Sequence, residues 1–213
     1  MLLRALTRII AIALLTSGVA FAQALLSPGR DFVLLNSPQP TDSTGPEVLE
    51  FFSYGCIHCY HLESKLDPWV KQLPKDVKFS RVPAFKLRGI DSAPIYYSFE
   101  AMGLLDKLHI KLFEAVHNDN LTAGNATAFY QWLTKQGVDI KKYQEIEKSF
   151  SVQSKASRAR LMAENYKIES TPTLALNGKY LVINQTSTDR TFQVLDTLIA
   201  TSRQAKPAVT GKN

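Results

Sequence analysis

The sequence predicts an α/β domain interrupted by a helical insertion, and three observations carry that prediction. Apolar strand-like runs lie in the first half of the chain, at residues 48–53 and 77–82. Two more lie near its end, at 173–176 and 180–183. Between the two sets, apolar residues recur at helical rather than strand spacing. The chain has 213 residues with 45% hydrophobic and 21% charged, ten Gly and ten Pro, so it is neither disordered nor fibrous. That length suits one domain, or one domain with a large insertion. Two cysteines cannot make a disulfide-dense scaffold, so ordinary apolar burial must supply the core.

Residues 1–22 are expected to be a signal peptide. Arg4 and Arg8 precede the apolar run 9–15, and Ala20-Phe21-Ala22 is an A-x-A cleavage pattern. The run is well short of the ~20 residues a membrane span needs. Cleavage after Ala22 would lower the formal charge from +6 to +4 and leaves no Lys/Arg-rich run, which argues against nucleic acid as a partner.

From Gln23 to Gly45 the chain is punctuated by Ser, Pro and Gly, with a short apolar run at 32–35 suited to an edge strand. The run 48–53 reads as a buried central strand leading into Tyr54-Gly55 and Cys56-Ile57-His58-Cys59. Leu62, Leu66, Trp69, Val70 and Leu73 then fall at helical spacing, with Pro68 expected to kink or split that helix. The strand at 77–82 completes a strand–helix–strand unit with a right-handed crossover. Asp91-Ser92-Ala93-Pro94 marks the next helix start, with Ile95, Phe99 and Met102 on one face. Further stripes are Leu105, Leu108, Leu112 and Val116; then Phe129, Trp132 and Leu133; then Ile140, Tyr143 and Ile146 behind a capping Asp139. Val152, Ala156, Ala159, Ala163 and Tyr166 make a small-residue face suited to close helix packing. Asn177-Gly178 between the last two strand runs is a hairpin signal, and Thr188-Asp189 opens a final helix carrying Phe192, Leu195 and Ile199. The expected organisation is a first strand-bearing part over 23–87, a helical insertion over 88–166, a second strand-bearing part over 167–205 and a polar tail over 206–213.

The chemistry-bearing motif is the C-x-x-C pair, placed directly after a strand and at the start of a helix. A structural zinc site would need two further ligands, and a second C-x-x-C is missing. An inert disulfide closing so short a loop would constrain the unfolded chain little. A redox pair fits the local physics better. A thiolate attacks disulfides, and the free N–H groups and dipole of a helix N-terminus stabilise negative charge at Cys56. His58 is within reach of that sulfur. Cys56 is therefore expected to be exposed and to react first, and Cys59, one turn on, to be buried and to resolve the mixed disulfide. Stabilising the Cys56 thiolate stabilises the reduced form and makes the disulfide more oxidising.

The segment Glu50-Phe51-Phe52-Ser53-Tyr54-Gly55-Cys56-Ile57-His58-Cys59-Tyr60 resembles the active-site segment of the DsbA family, bacterial periplasmic thiol–disulfide oxidoreductases. Ser170-Thr171-Pro172-Thr173, leading into Asn177-Gly178-Lys179-Tyr180, resembles that family's cis-proline loop and following hairpin. The resemblance implies a thioredoxin-like fold with an inserted helical domain. It makes Cys56 the nucleophile, Cys59 the resolving cysteine, His58 a modulator of the thiolate, and Thr171-Pro172 a cis peptide facing the disulfide. Glu50 matches the buried acid that moves a proton to or from the resolving thiol, with an ordinary strand-end glutamate as the alternative. Glu63 and Arg81 are candidates for a charged pair beneath the site. The implied partners are reduced exported proteins and a DsbB-like, quinone-linked membrane protein, with no bound cofactor; a monomer is expected from the absence of an extra dimerising segment. The family's best-known members carry proline where Ile57 stands and often valine where Thr171 stands, which keeps a reductase or isomerase open as an alternative, and a non-redox peptide-binding chaperone as a further one. His109 and His117 fall in predicted helices and read as packed or solvated side chains rather than ligands. Asn120, Asn125 and Asn184 begin N-x-T triplets that mark only surface.

Overall fold

The computed structural model describes residues 26–183 and 187–204, so the expected signal peptide, the 206–213 tail and the Asn184 triplet lie outside the described residues. A five-stranded sheet is ordered β1–β7–β6–β2–β3, from β1 (Phe32–Leu34), β2 (Glu47–Phe52), β3 (Lys78–Pro83), β6 (Thr173–Leu176) and β7 (Tyr180–Val182). β2 and β3 are parallel, joined over α1 (Ile57–Gln72); the other pairings are antiparallel. Asn177 and Gly178 take φ of 52° and 63°, a left-handed pair closed by the Lys179 amide on the Leu176 carbonyl at 3.0 Å, within a three-residue loop between the paired Leu176 and Tyr180.

β2 is central, and all six of its residues are buried. Its alternation sorts the two faces. Val48 packs with Leu62 and Leu66 of α1 and with Phe192, Leu195 and Ile199 of α7 (Thr188–Gln204). Trp69 stacks on Phe192 at 5.0 Å, and its indole N–H donates to Asp196 at 3.0 Å, tying α1 to α7. Leu49 and Phe51 face the opposite way, against Ala159, Ala163 and Tyr166 along α6 (Phe150–Asn165). The small-residue stripe thus lets α6 approach the sheet closely, as its composition predicts.

The middle of the chain is helical: α2 (Ser92–Ala101), α3 (Leu105–His117), α4 (Ala126–Lys135) and α5 (Ile140–Glu147) precede α6. Asp91 accepts from the Ala93 amide, at the helix start read there, and Asp139 accepts from the Lys142 amide as the expected cap. Phe99, Leu108, Leu112, Phe113, Leu133 and Tyr143 form a core continuous with Phe52, Tyr54 and both cysteines.

Two local features differ from expectation. Pro68 neither ends nor divides α1, which runs through it as one 16-residue helix. Pro68 and Ser64 are both exposed, on the solvent side of α1, where losing one i→i−4 hydrogen bond costs least. A small hairpin, β4 (Lys86–Leu87) with β5 (Ile90–Asp91), turns at Arg88 and Gly89, both at positive φ, beside the expected 87/88 boundary. Two-residue strands carry no periodicity to read.

Candidate active site

The chain leaves β2 through Ser53-Tyr54-Gly55, and this turn is pinned by α2. The Ser92 hydroxyl accepts from the Tyr54 amide at 2.9 Å and lies 3.2 Å from the Ser53 hydroxyl, which accepts from the Gly55 amide. A Cβ on Gly55 would stand 2.5 Å from the Leu87 carbonyl oxygen, so only glycine lets the β4–β5 hairpin close against the turn. Gly55→Ala is expected to lose about 1–3 kcal/mol of stability by overpacking, measured as a lower denaturation midpoint at unchanged m.

Cys56 is the N-cap of α1, its sulfur accepting from the Cys59 amide at 3.4 Å. It also donates to the Thr171 carbonyl at 3.2 Å, across a cis Thr171–Pro172 peptide. Because that loop lies against the sulfur, Cys56 is only 8% exposed, which corrects the expectation of an open thiol; Cys59 is fully buried, as expected. Both are free thiols. The two titrate in opposite senses. Cys56 is held down at about 5, first by the Cys59 thiol, then by the Thr171 side chain and the backbone N–H groups of Cys59 and His58, against its burial. Cys59 is pushed far above the ordinary thiol range by burial, by its hydrogen bond to Cys56 and by the charge of Glu50. His58 and Ile57 are exposed, and it is the His58 backbone N–H that bears on the sulfur. His58 lines a cavity of about 260 Å³ with His61, Leu62, Pro172, Leu174, Thr188 and Thr191.

Glu50 lies on the α1 side of β2, between Val48 and Phe52, and is fully buried. Burial and the neighbouring Glu63 push its carboxyl up to about 8, against the pull of Arg81. Arg81, its parallel-register partner on β3, brings Nε to 3.1 Å of Glu50 Oε2, yet its N–H groups are aimed elsewhere. They donate to Glu63 at 3.2 and 2.8 Å and to Asp67 at 2.9 Å. The expected Glu63–Arg81 pair is thus present, enlarged by Asp67.

These elements (a strand-to-helix thiol pair, a cis-proline loop facing it and a buried acid beneath) coincide with a family model. A DSBA-like thioredoxin domain matches residues 47–198. The chain belongs to the DsbA-like thioredoxin family. Among DsbA relatives, the thiol:disulfide interchange protein DsbA of Bordetella parapertussis is 36% identical over 204 residues, covering 93% of this chain and 97% of its own. That of Burkholderia cepacia is 35% identical over 196 residues, covering 87% and 92%. The crystal structure of Pseudomonas aeruginosa DsbA superposes with a TM-score of 0.79 at 31% identity, over 84% of this chain and 96% of its own. As a DsbA-family member, the protein is a thiol:disulfide oxidoreductase.

Two imidazoles from the insertion reach this DsbA-type site. His117 donates from Nε2 to the Tyr54 carbonyl at 2.9 Å and stacks on Tyr60 at 5.6 Å; burial holds it below the usual imidazole value. His109 contacts Tyr54 and Glu63. Reading both as packed or solvated side chains missed what they touch: His109 is buried and His117 only half-buried. A usable signal existed for His109, which falls on the same helical stripe as Leu105, Leu108, Leu112 and Val116, so that a buried imidazole there demands partners.

Proposed function

We propose that the protein donates a Cys56–Cys59 disulfide to reduced cysteine pairs of exported proteins in the periplasm. The observation that carries this reading is the split of the thiol pair, Cys56 acidic and Cys59 strongly basic. A substrate thiolate attacks Cys56, the Cys56–Cys59 bond breaks, and a substrate–Cys56 mixed disulfide forms. Cys59 departs into a buried site that disfavours its anion, and it takes a proton from Glu50. The substrate's second thiolate then attacks its own sulfur in the mixed disulfide and expels Cys56. Cys56 leaves as a thiolate at neutral pH because its pKa is low, so two electrons pass to the enzyme and the substrate gains its disulfide.

The other residues follow from their places. The Thr171 backbone beside the cis-Pro172 would pair with an extended substrate chain, with His58 and Pro172 flanking it in the cavity. Resemblance to the family supports reoxidation by a DsbB-like, quinone-linked membrane partner, and export through the 1–22 segment. It supports a monomer without bound cofactor, acting on proteins and not on nucleic acid. Among the described residues no helix is long and apolar enough to cross a membrane.

Cys59→Ala tests the exchange route: it is expected to accumulate mixed disulfides at Cys56 that survive non-reducing electrophoresis, and their absence would refute it. Ile57 and Thr171 favour a second reading, a reductase or isomerase with the same cysteines. Equilibration with glutathione separates the two. A potential near about −120 mV, an established DsbA value and not one derived from this geometry, marks the oxidase; one near about −270 mV marks the reductant.

A further inference from the structure

The buried charges beneath the cysteines do not end at Arg81; a histidine of the helical insertion extends them. His109 on α3 is 6% exposed, with Nε2 3.1 Å from Glu63 Oε1 and Nδ1 2.9 Å from the Tyr54 hydroxyl. Glu63, gripped by Arg81 through both oxygens, is a carboxylate and only accepts, so Nε2 carries the hydrogen. Nδ1 then accepts from the Tyr54 O–H, a phenol that burial keeps protonated. The ring is neutral, and both its nitrogens are satisfied.

This wiring bears on a competition. Glu50 and Glu63 are both buried and share one guanidinium. Glu63 Oε1 receives two N–H groups, from His109 and from Arg81, while Oε2 receives a third. Glu50 receives none in good alignment. Donors stabilise the ionised form of the acid they reach, so negative charge settles on Glu63 and the proton on Glu50, the acid whose charge is felt at Cys59.

We propose that His109 is a positioning residue for proton exchange at Cys59: by donating to Glu63 it keeps Glu63 the carboxylate that holds Arg81 and leaves Glu50 as the acid that carries the proton. This rests on the proposed role of Glu50. The groups facing Glu50 are Cys59, Glu63 and Asp67 from α1, Arg81 from β3 and Tyr96 from α2. Those facing His109 are Tyr54, Glu63, Asp67, Arg81 and Tyr96, with Phe52 and Phe113 closing the apolar wall.

The test follows, in the full chain, the rate at which Cys59 resolves a Cys56–glutathione mixed disulfide between pH 5 and pH 10. This step needs Cys59 to lose its proton, and Glu50 as acceptor gives the profile a rise centred on its own titration. Glu50→Gln removes that rise. His109→Leu moves its midpoint to lower pH by about one unit, the scale of one hydrogen bond to a charged group, because Arg81 is freed toward Glu50. His109→Gln, whose amide can donate to Glu63, restores the midpoint. A structural role alone would change stability and leave the midpoint in place. If His109→Leu folds poorly, Glu63→Gln alone and combined with His109→Leu carries the test: with Glu63 neutral no buried charge is left short of a donor, and His109→Leu adds no further shift. A wild-type midpoint in His109→Leu, or an additional shift in the double variant, overturns the proposal while Glu50 keeps its role. A rise that persists in Glu50→Gln overturns the Glu50 reading and this proposal with it.

Discussion

Between pH 5 and pH 7 the reduced protein is expected to gain about 3 kcal/mol of stability on the oxidised protein. The gain comes from proton linkage. Cys56 titrates at about 5 in the folded reduced state and near 8.5–9 once unfolded, whereas the disulfide form has no thiol to titrate. Because the folded value is the lower one, the contribution is complete above the unfolded value, shrinks as the pH falls, and is gone below about 5. Two pH units at roughly 1.4 kcal/mol each give the figure stated, equivalent to about 60 mV of oxidising power. Paired urea titrations of the two redox forms at several pH values would measure it. A gap that does not change with pH would show that the thiolate is not the source of the driving force.

The second large effect is expected at Arg81. Its side chain is the shared counter-charge for Glu63 and Glu50, which are 2% and 0% exposed, with Asp67 at the edge of the group. Arg81→Leu strands Glu63 without its bidentate partner and should cost about 3–5 kcal/mol, the usual result of breaking a buried ion pair from one side. Removing both sides is different. Arg81→Leu with Glu63→Leu replaces the pair by apolar volume and should recover a large part of the loss. Denaturant midpoints of the single and double variants decide it, and a double variant no better than the single would mean that the charges are held for packing rather than for one another.

What could be read in advance follows from how local each signal is. The central strand, the helix start at Asp91, the cap at Asp139 and the Asn177-Gly178 turn each depend on residues a few positions apart, and each appears where expected. The cysteine pair at a strand-to-helix junction was legible for the same reason. The sulfur's surroundings were not. Cys56 is nearly covered because a loop 115 residues away closes on it, and Pro68 lies inside an unbroken helix on its exposed side. The contacts His109–Glu63 and His117–Tyr54 span 46 and 63 residues. No spacing rule links such partners; only the fold brings them together.

The order in which the sheet is assembled has a consequence for biosynthesis. β2, which carries the thiols to their place, pairs on one side with β3 but on the other with β6, and the loop that touches Cys56 immediately precedes β6. A ribosome adds about 5–20 residues per second, so Thr171 follows Cys56 by on the order of ten seconds. Throughout that interval the chain holds two cysteines in an incomplete sheet, lacking the residue that later closes on the reactive sulfur. The unfinished protein is therefore a client for disulfide exchange before it can be a catalyst of it, and its reactive thiol gains the last of its acidifying partners, Thr171, only as one of its last strands docks.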